Sequence, residues 1–199
     1  KLAYNTLVIF TSDNGGVVNP GNPNATAAIK AGLAINGALR GGKHSEWEGG
    51  FREPFLVRWP GHVPAGTVSE QVIGLTDLVA TVAAIVQAPL SKGGAEDSFD
   101  VSRAFTEAKP GAPVRDHVIV QSADAIYAIR MGDWKLVERA DAPKFEPRNA
   151  KKAAKKAKAA AGRDELFNLR LDPAESKDVA ADNPAVVARL KQALVAARA

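Results

Sequence analysis

The chain of 199 residues contains no cysteine. That excludes a disulfide framework, a zinc–thiolate centre and a cysteine nucleophile within these residues. Nor is there any apolar run near the roughly 20 residues needed to span a bilayer. Lys1-Leu2-Ala3-Tyr4 shows neither an initiator Met nor a signal-peptide pattern, and strand-like sequence starts almost at once. The chain is therefore expected to begin inside a domain and to be a fragment.

What is present is ordinary globular material: 46% hydrophobic and 24% charged residues, enough for a packed core. The formal net charge of +4 is local rather than general. Lys151, Lys152, Lys155, Lys156 and Lys158 crowd one alanine-rich stretch, and the remainder is near neutral. Without aromatic residues between those lysines, the stretch lacks stacking platforms for nucleic acid. It reads as a solvated basic insert at about 140–162, and no nucleic-acid partner is expected.

Thr6-Leu7-Val8-Ile9-Phe10-Thr11 is a short apolar, β-branched run that suits a strand buried on both faces, as in a parallel sheet. Ser12-Asp13-Asn14-Gly15-Gly16 ends it with turn residues. Residues 17–42 are rich in Gly, Asn and Pro and read mostly as loop. Phe55 to Trp59 is a second strand, closed by Pro60-Gly61. Thr76 is placed to cap a helix with Leu78, Val79, Val82, Ile85 and Val86 at helical spacing, stopped by Pro89. A short helical turn is expected near Ser102 to Phe105. Val114 to Val120, Ala125 to Arg130, Trp134 to Val137 and Glu165 to Leu169 read as strands of an antiparallel meander. Pro184 to Ala197 is a closing amphipathic helix with Val187, Leu190 and Leu194 on one face.

Two segments carry candidate chemistry. Asp13-Asn14-Gly15 follows a buried strand, where ligands gather in open α/β sheets. A carboxylate and an amide oxygen are hard donors suited to Ca²⁺ or Mg²⁺, although Asp-Asn-Gly is equally good turn chemistry. In Gly41-Gly42-Lys43-His44-Ser45-Glu46-Trp47-Glu48-Gly49-Gly50, Lys43 sits among glycines as a cation able to meet sulfate or phosphate. A solvated loop lysine is the alternative.

These segments, in order with Glu48-Gly49-Gly50-Phe51-Arg52-Glu53-Pro54, Trp59-Pro60-Gly61-His62-Val63-Pro64-Ala65-Gly66, Ile129-Arg130-Met131-Gly132-Asp133-Trp134-Lys135-Leu136-Val137 and Glu165-Leu166-Phe167-Asn168-Leu169 with Asp172-Pro173 and Glu175, resemble the sulfatase family of arylsulfatase type. The resemblance runs from about Asn5 to Leu194 and breaks at the Ala/Lys insert. It implies an α/β fold: residues 1–113 as the C-terminal part of a sulfatase catalytic α/β domain, and residues 114–199 as a small antiparallel sheet packed with a C-terminal helix. It implies that Asp13 and Asn14 ligate a divalent cation, usually Ca²⁺ with Mg²⁺ as the alternative, and that Lys43 contacts the sulfate group. His44 stands where the family more often has a small residue; it is a candidate substrate contact, with a solvated role favoured. Glu48, Gly49, Gly50 and Arg52 match positions that shape the loop.

The family's nucleophile is a formylglycine made from Cys or Ser in a motif ending Pro-Ser-Arg, and no such motif occurs here. The resemblance therefore implies hydrolysis of sulfate esters, on a sulfated small molecule or glycan, by a parent whose nucleophile lies outside these residues, and the chain alone is expected to be inactive. Export to the periplasm or beyond follows from the family alone. A phosphate or phosphonate ester hydrolase of the same superfamily, and a noncatalytic binding module on the same scaffold, are the alternatives. Absent sheet neighbours should leave apolar surface exposed along Leu7 to Phe10.

Overall fold

The computed structural model describes residues 2–109, 111–139 and 162–198. The chain divides into two compact units, each discontinuous in sequence. One comprises Lys1–Asp13 with Pro54–Val118, the other Asn14–Glu53 with Ile119–Ala199. The Ala/Lys insert, apart from Gly162, lies outside the described residues.

In the first unit, β1 (Val8–Thr11) pairs with β2 (Phe55–Arg58). The apolar run suits a parallel sheet, but the pairing is antiparallel, with Phe10 opposite Leu56 and Ile9 opposite Val57. An apolar run records that a strand is hydrophobic; it does not record the direction of its partner. Pairing sorts the side chains by face. Phe55 and Val57 turn inward onto a core of Val101, Ala104 and Phe105. Val8, Phe10 and Leu56 turn outward and are 47%, 67% and 57% exposed.

After a 3₁₀ turn at Leu75–Asp77 comes helix α3 (Leu78–Ile85). The two helices that precede it in the chain, α1 (Pro23–Lys30) and α2 (Glu48–Phe51), belong to the second unit. The cap is not Thr76. Asp77 closes the turn by accepting the Gly74 amide at 2.7 Å, and its other carboxylate oxygen accepts the Phe99 amide at 3.1 Å. Arg115 Nη1 reaches both oxygens, at 2.6 and 2.7 Å, so this fully buried carboxylate is paired and hydrogen-bonded, as a buried charge must be. The buried face of α3 also differs from the hydropathy pattern. Ala80 and Thr81 are buried, whereas Val79, Val82 and Val86 are exposed. Small residues let the 98–101 segment approach: Ser98 Oγ accepts the Ala80 amide at 2.8 Å and Thr81 Oγ1 accepts the Val101 amide at 3.0 Å. The expected turn near residue 103 is α4 (Arg103–Thr106).

The second unit is built on a four-stranded sheet of order β3-β4-β5-β6: Val118–Gln121, Tyr127–Met131, Trp134–Val137 and Glu165–Asn168. Its register aligns Ile129, Leu136 and Leu166 on one face. Leu190 and Leu194 of α5 (Pro184–Ala196) pack there, all five side chains fully buried. The opposite face carries Ala128, Arg130, Lys135, Val137 and Phe167. Trp47 packs on its apolar part, the Trp47 and Phe167 rings meeting edge-on with centroids 5.8 Å apart. A sheet with one helix-covered face thus offers its other face as the platform for the segment Asn14–Glu53.

That segment was expected to be loop from 17 to 42. It contains α1 (Pro23–Lys30), with Asn22 Oδ1 accepting the amides of Asn24 and Ala25 at 3.0 and 3.1 Å. Asn at the cap followed by Pro at the first helical position is a regular start signal. The surrounding Gly, Asn and Pro obscured it.

Candidate functional site

β1 ends at Thr11, and Asp13 and Asn14 follow in a bend. Asp13 is exposed, and among the described residues its carboxylate makes no hydrogen bond or ion pair. Asn14 is half-buried, and its Nδ2 donates to the Gly15 carbonyl at 3.0 Å.

From Asn14 onward the turn is locked to the Lys43 loop. The Gly15 amide donates to the Gly50 carbonyl at 2.9 Å, and the Lys43 amide donates to the Gly16 carbonyl at 3.0 Å. Asn36 clamps the two strands of chain together. Its Oδ1 accepts the Gly16 amide at 2.8 Å, and its Nδ2 donates to the Gly41 carbonyl at 2.9 Å. Backbones come this close because side chains are missing. A Cβ on Gly15 would sit inside the Gly49 carbonyl, and one on Gly49 would lie 2.5 Å from the Gly41 oxygen. The glycines of both candidate segments are one packing device.

Lys43 stands on this joint with its side chain exposed, and among the described residues its ammonium makes no hydrogen bond or ion pair. With Val18, Asn19, Asn22 and His44 it lines an open cleft of about 630 Å³. His44 is also exposed, with a backbone φ of 78°. This is the left-handed region that costs a residue with a Cβ. The conformation is held by the Ala123 amide, which donates to the His44 carbonyl at 3.0 Å.

Beneath the loop lies a buried ionic cluster. Lys135, 2% exposed at the side chain, places Nζ 3.0 Å from Glu48 Oε1 and 2.8 Å from Glu175 Oε1. Among the described residues Glu175 Oε1 has no aligned hydrogen bond of its own, so this second contact is an ion pair held by charge. Arg130 stands 3.4 Å from Glu48 Oε2, and Glu175 Oε2 accepts the Glu48 amide at 2.6 Å. Burial pushes the Glu175 carboxyl above its ordinary value, against the opposing pull of Lys135 and the Glu48 amide. Arg40 stacks 3.5 Å above the Trp47 ring, and Arg139 Nη2 pairs with Glu46 Oε1 at 2.7 Å. The sequence offered Lys135 and Glu175 as parts of motifs and Glu48 as a loop-shaping position. Their convergence on one cluster had no local signal, since charges far apart in sequence read separately as solvated.

The donor set at Asp13 and Asn14 fits a hard divalent cation in kind: an exposed carboxylate beside a side-chain amide. It does not fit in number. Calcium takes about six to eight oxygens, and among the described residues no group of three or more His, Cys, Asp or Glu could hold a metal ion. These two residues can contribute to a cation site and cannot complete one.

The Sulfatase family model matches residues 1–88. An N-acetylgalactosamine-6-O-sulfatase of Bacteroides thetaiotaomicron is 33% identical over 202 residues, which cover 98% of this chain and 36% of that protein. Human arylsulfatase A is 43% identical over 101 residues, half of this chain and 18% of that one. A solved structure from work on glycosaminoglycan metabolism by B. thetaiotaomicron superposes over 98% of this chain and 39% of its own, with a TM-score of 0.77 and 30% identity. A sulfatase of Pseudoalteromonas sp. superposes with a TM-score of 0.69 at 25% identity, over 98% of this chain and 37% of its own. The chain spans little more than a third of the length of the relatives it matches from end to end. On the ordered motifs, the matching family model and these relatives, the chain belongs to the sulfatase family.

Proposed function

We propose that the full-length protein hydrolyses sulfate esters and that this chain supplies the part of the site that grips the sulfate group. The observation that carries the reading is the Lys43–Gly16 backbone bond of 3.0 Å, which roots an exposed lysine, unpaired among the described residues, beside the turn carrying Asn14.

Lys43 performs two tasks here. It attracts and orients the anionic group as a point charge on a flexible stem. It also stays in place as negative charge builds on the reacting oxygens, the electrostatic contribution that is often the largest in catalysis. Asp13 and Asn14 serve as two oxygen donors to a Ca²⁺ ion, with the remaining donors coming from outside the described residues. When bound, that ion polarises sulfate oxygens as a Lewis acid. Asn beside Asp leaves the pair less negative than two carboxylates, which favours an anionic substrate. The attacking group is not among these residues, and a formylglycine supplied from elsewhere is part of this reading.

The substrate class we propose is a sulfated glycan or small molecule. The B. thetaiotaomicron relative is named for a sulfated sugar, and the open cleft beside Lys43 leaves room for a bulky leaving group. The experiment is a side-by-side assay of the full-length protein on an aryl sulfate and the matching aryl phosphate. Preferential turnover of the sulfate supports the reading; preference for the phosphate overturns it.

A further inference from the structure

The loop that presents Lys43 runs from Arg40 to Glu48, and both of its ends are tied to the same distant residue. At one end Arg40 Nη1 donates to the main-chain carbonyl of Glu175 at 2.9 Å. At the other, the Glu48 amide donates to Glu175 Oε2 at 2.6 Å. Lys135, rising from the middle of β5, bridges the Glu48 and Glu175 carboxylates and is itself buried.

Glu175 is unusually well anchored for this task. Its backbone sits at a φ of 52° in a tight turn after β6, with its amide donating to the Asp172 carbonyl at 3.1 Å. The Asp172 carboxylate holds the far side of the turn, accepting the amides of Ser176 at 2.7 Å and Lys177 at 2.9 Å. The residue is fully buried. A buried carboxylate pair around one lysine is a poor way to gain stability, because apolar groups of similar volume would do as well or better. What the ionic arrangement adds is a fixed position: directional bonds that admit one placement of the loop.

We infer that Glu175 is a positioning residue for Lys43, clamping both ends of its loop so that the ammonium meets the sulfate group in one place. The inference rests on the reading of Lys43 given above. It goes beyond it by assigning a role to a residue that touches neither substrate nor cation.

The test uses the full-length protein, in two readouts. Amide hydrogen exchange across residues 41–48 is compared between the parent, Glu175→Ala, and Arg40→Met. Arg40 is exposed, so Arg40→Met leaves the core intact and releases one end of the clamp. Both variants are expected to speed exchange in this loop by about tenfold or more while the β4–β5 amides stay protected. Kinetics on an aryl sulfate then form a double-mutant cycle with Lys43→Ala. A clamp makes Lys43→Ala cost much less in the Glu175→Ala background than in the parent, since a displaced lysine has little left to lose. Glu175→Gln retains an oxygen for the Glu48 amide and is expected to recover part of the loss. Unchanged loop exchange in both variants overturns the inference whatever the substrate proves to be. So do strictly additive kinetic losses, the pattern expected if Glu175 merely stabilised the fold. If no sulfate ester is turned over, the reading of function fails while the exchange result still decides whether Glu175 clamps the loop.

Discussion

The main-chain N–H of Lys43 donates to the carbonyl of Gly16 at 3.0 Å. That bond joins two stretches of sequence, the Asn14-Gly15-Gly16 turn and the Gly41-Gly42-Lys43 loop, into one backbone-packed element. Asn36 reinforces it from the side. A lone lysine in a glycine loop would be a solvated cation. A lysine on this joint has a fixed root.

The joint depends on absent side chains. Gly15→Ala places a methyl group inside the Gly49 carbonyl, a backbone atom that cannot swing aside. The expected loss is about 2 kcal/mol or more, as for an overpacked interior. Urea denaturation measures it; a midpoint equal to the parent's would show that the two segments are not packed this closely.

Glu175 should leave a mark on the pH dependence of stability. Burial raises its carboxyl above the ordinary 4.5, so the folded protein keeps a proton that the unfolded chain has already released. The unfolding free energy therefore falls as pH rises from about 4.5 to the raised folded value, the direction linkage requires. Asp172 acts oppositely. Burial would raise it, but the Lys177 and Ser176 amides and the Ser176 hydroxyl hold it below its ordinary 3.8. Its contribution is present above 3.8 and is lost as pH falls through its lowered folded value. Chemical denaturation across that range should show a shallower fall above pH 4.5 in Glu175→Gln than in the parent. An identical slope would place the titration elsewhere.

His44 sits at a φ of 78°, where glycine is at ease and a β-branched residue is not. His44→Gly should leave the melting temperature unchanged or slightly higher, and His44→Val should cost about 1–2 kcal/mol. Equal stability of the two variants would mean that the loop readjusts.

The outer face of the β1–β2 pair is apolar and uncovered: Val8, Phe10 and Leu56 are all about half exposed or more. Contiguous exposed apolar surface drives association. The 199-residue chain expressed alone should self-associate, and Phe10→Thr with Leu56→Thr should reduce that. Analytical ultracentrifugation decides; a monodisperse monomer before any substitution would contradict the expectation.

The strands of the second unit were legible as short apolar and β-branched runs between turn residues, their inner residues buried on both faces, and α5 by the 3.6 period of its one buried stripe. Ile129, Leu136 and Leu166 meet Leu190 and Leu194 of that stripe. Helix α3 shows where that reading stops. Its valines are more hydrophobic than Ala80 and Thr81, yet close approach selected the small residues for burial. The candidate site was legible as two short motifs, at Asp13-Asn14 and at Lys43. What joins them was not, because backbone hydrogen bonds between glycines leave no side-chain pattern. Nor was the Glu48–Lys135–Glu175 cluster, whose members are separated by 87 and 40 positions.

The central claim is that Lys43 grips the group being transferred. The most direct measurement is steady-state hydrolysis of an aryl sulfate by the full-length protein and its Lys43→Ala variant, with melting temperatures recorded for both. A fall in kcat/KM of about 100-fold or more, at an unchanged melting temperature, is the expected result. Equal kcat/KM in the two proteins would make Lys43 an ordinary loop residue and contradict the account.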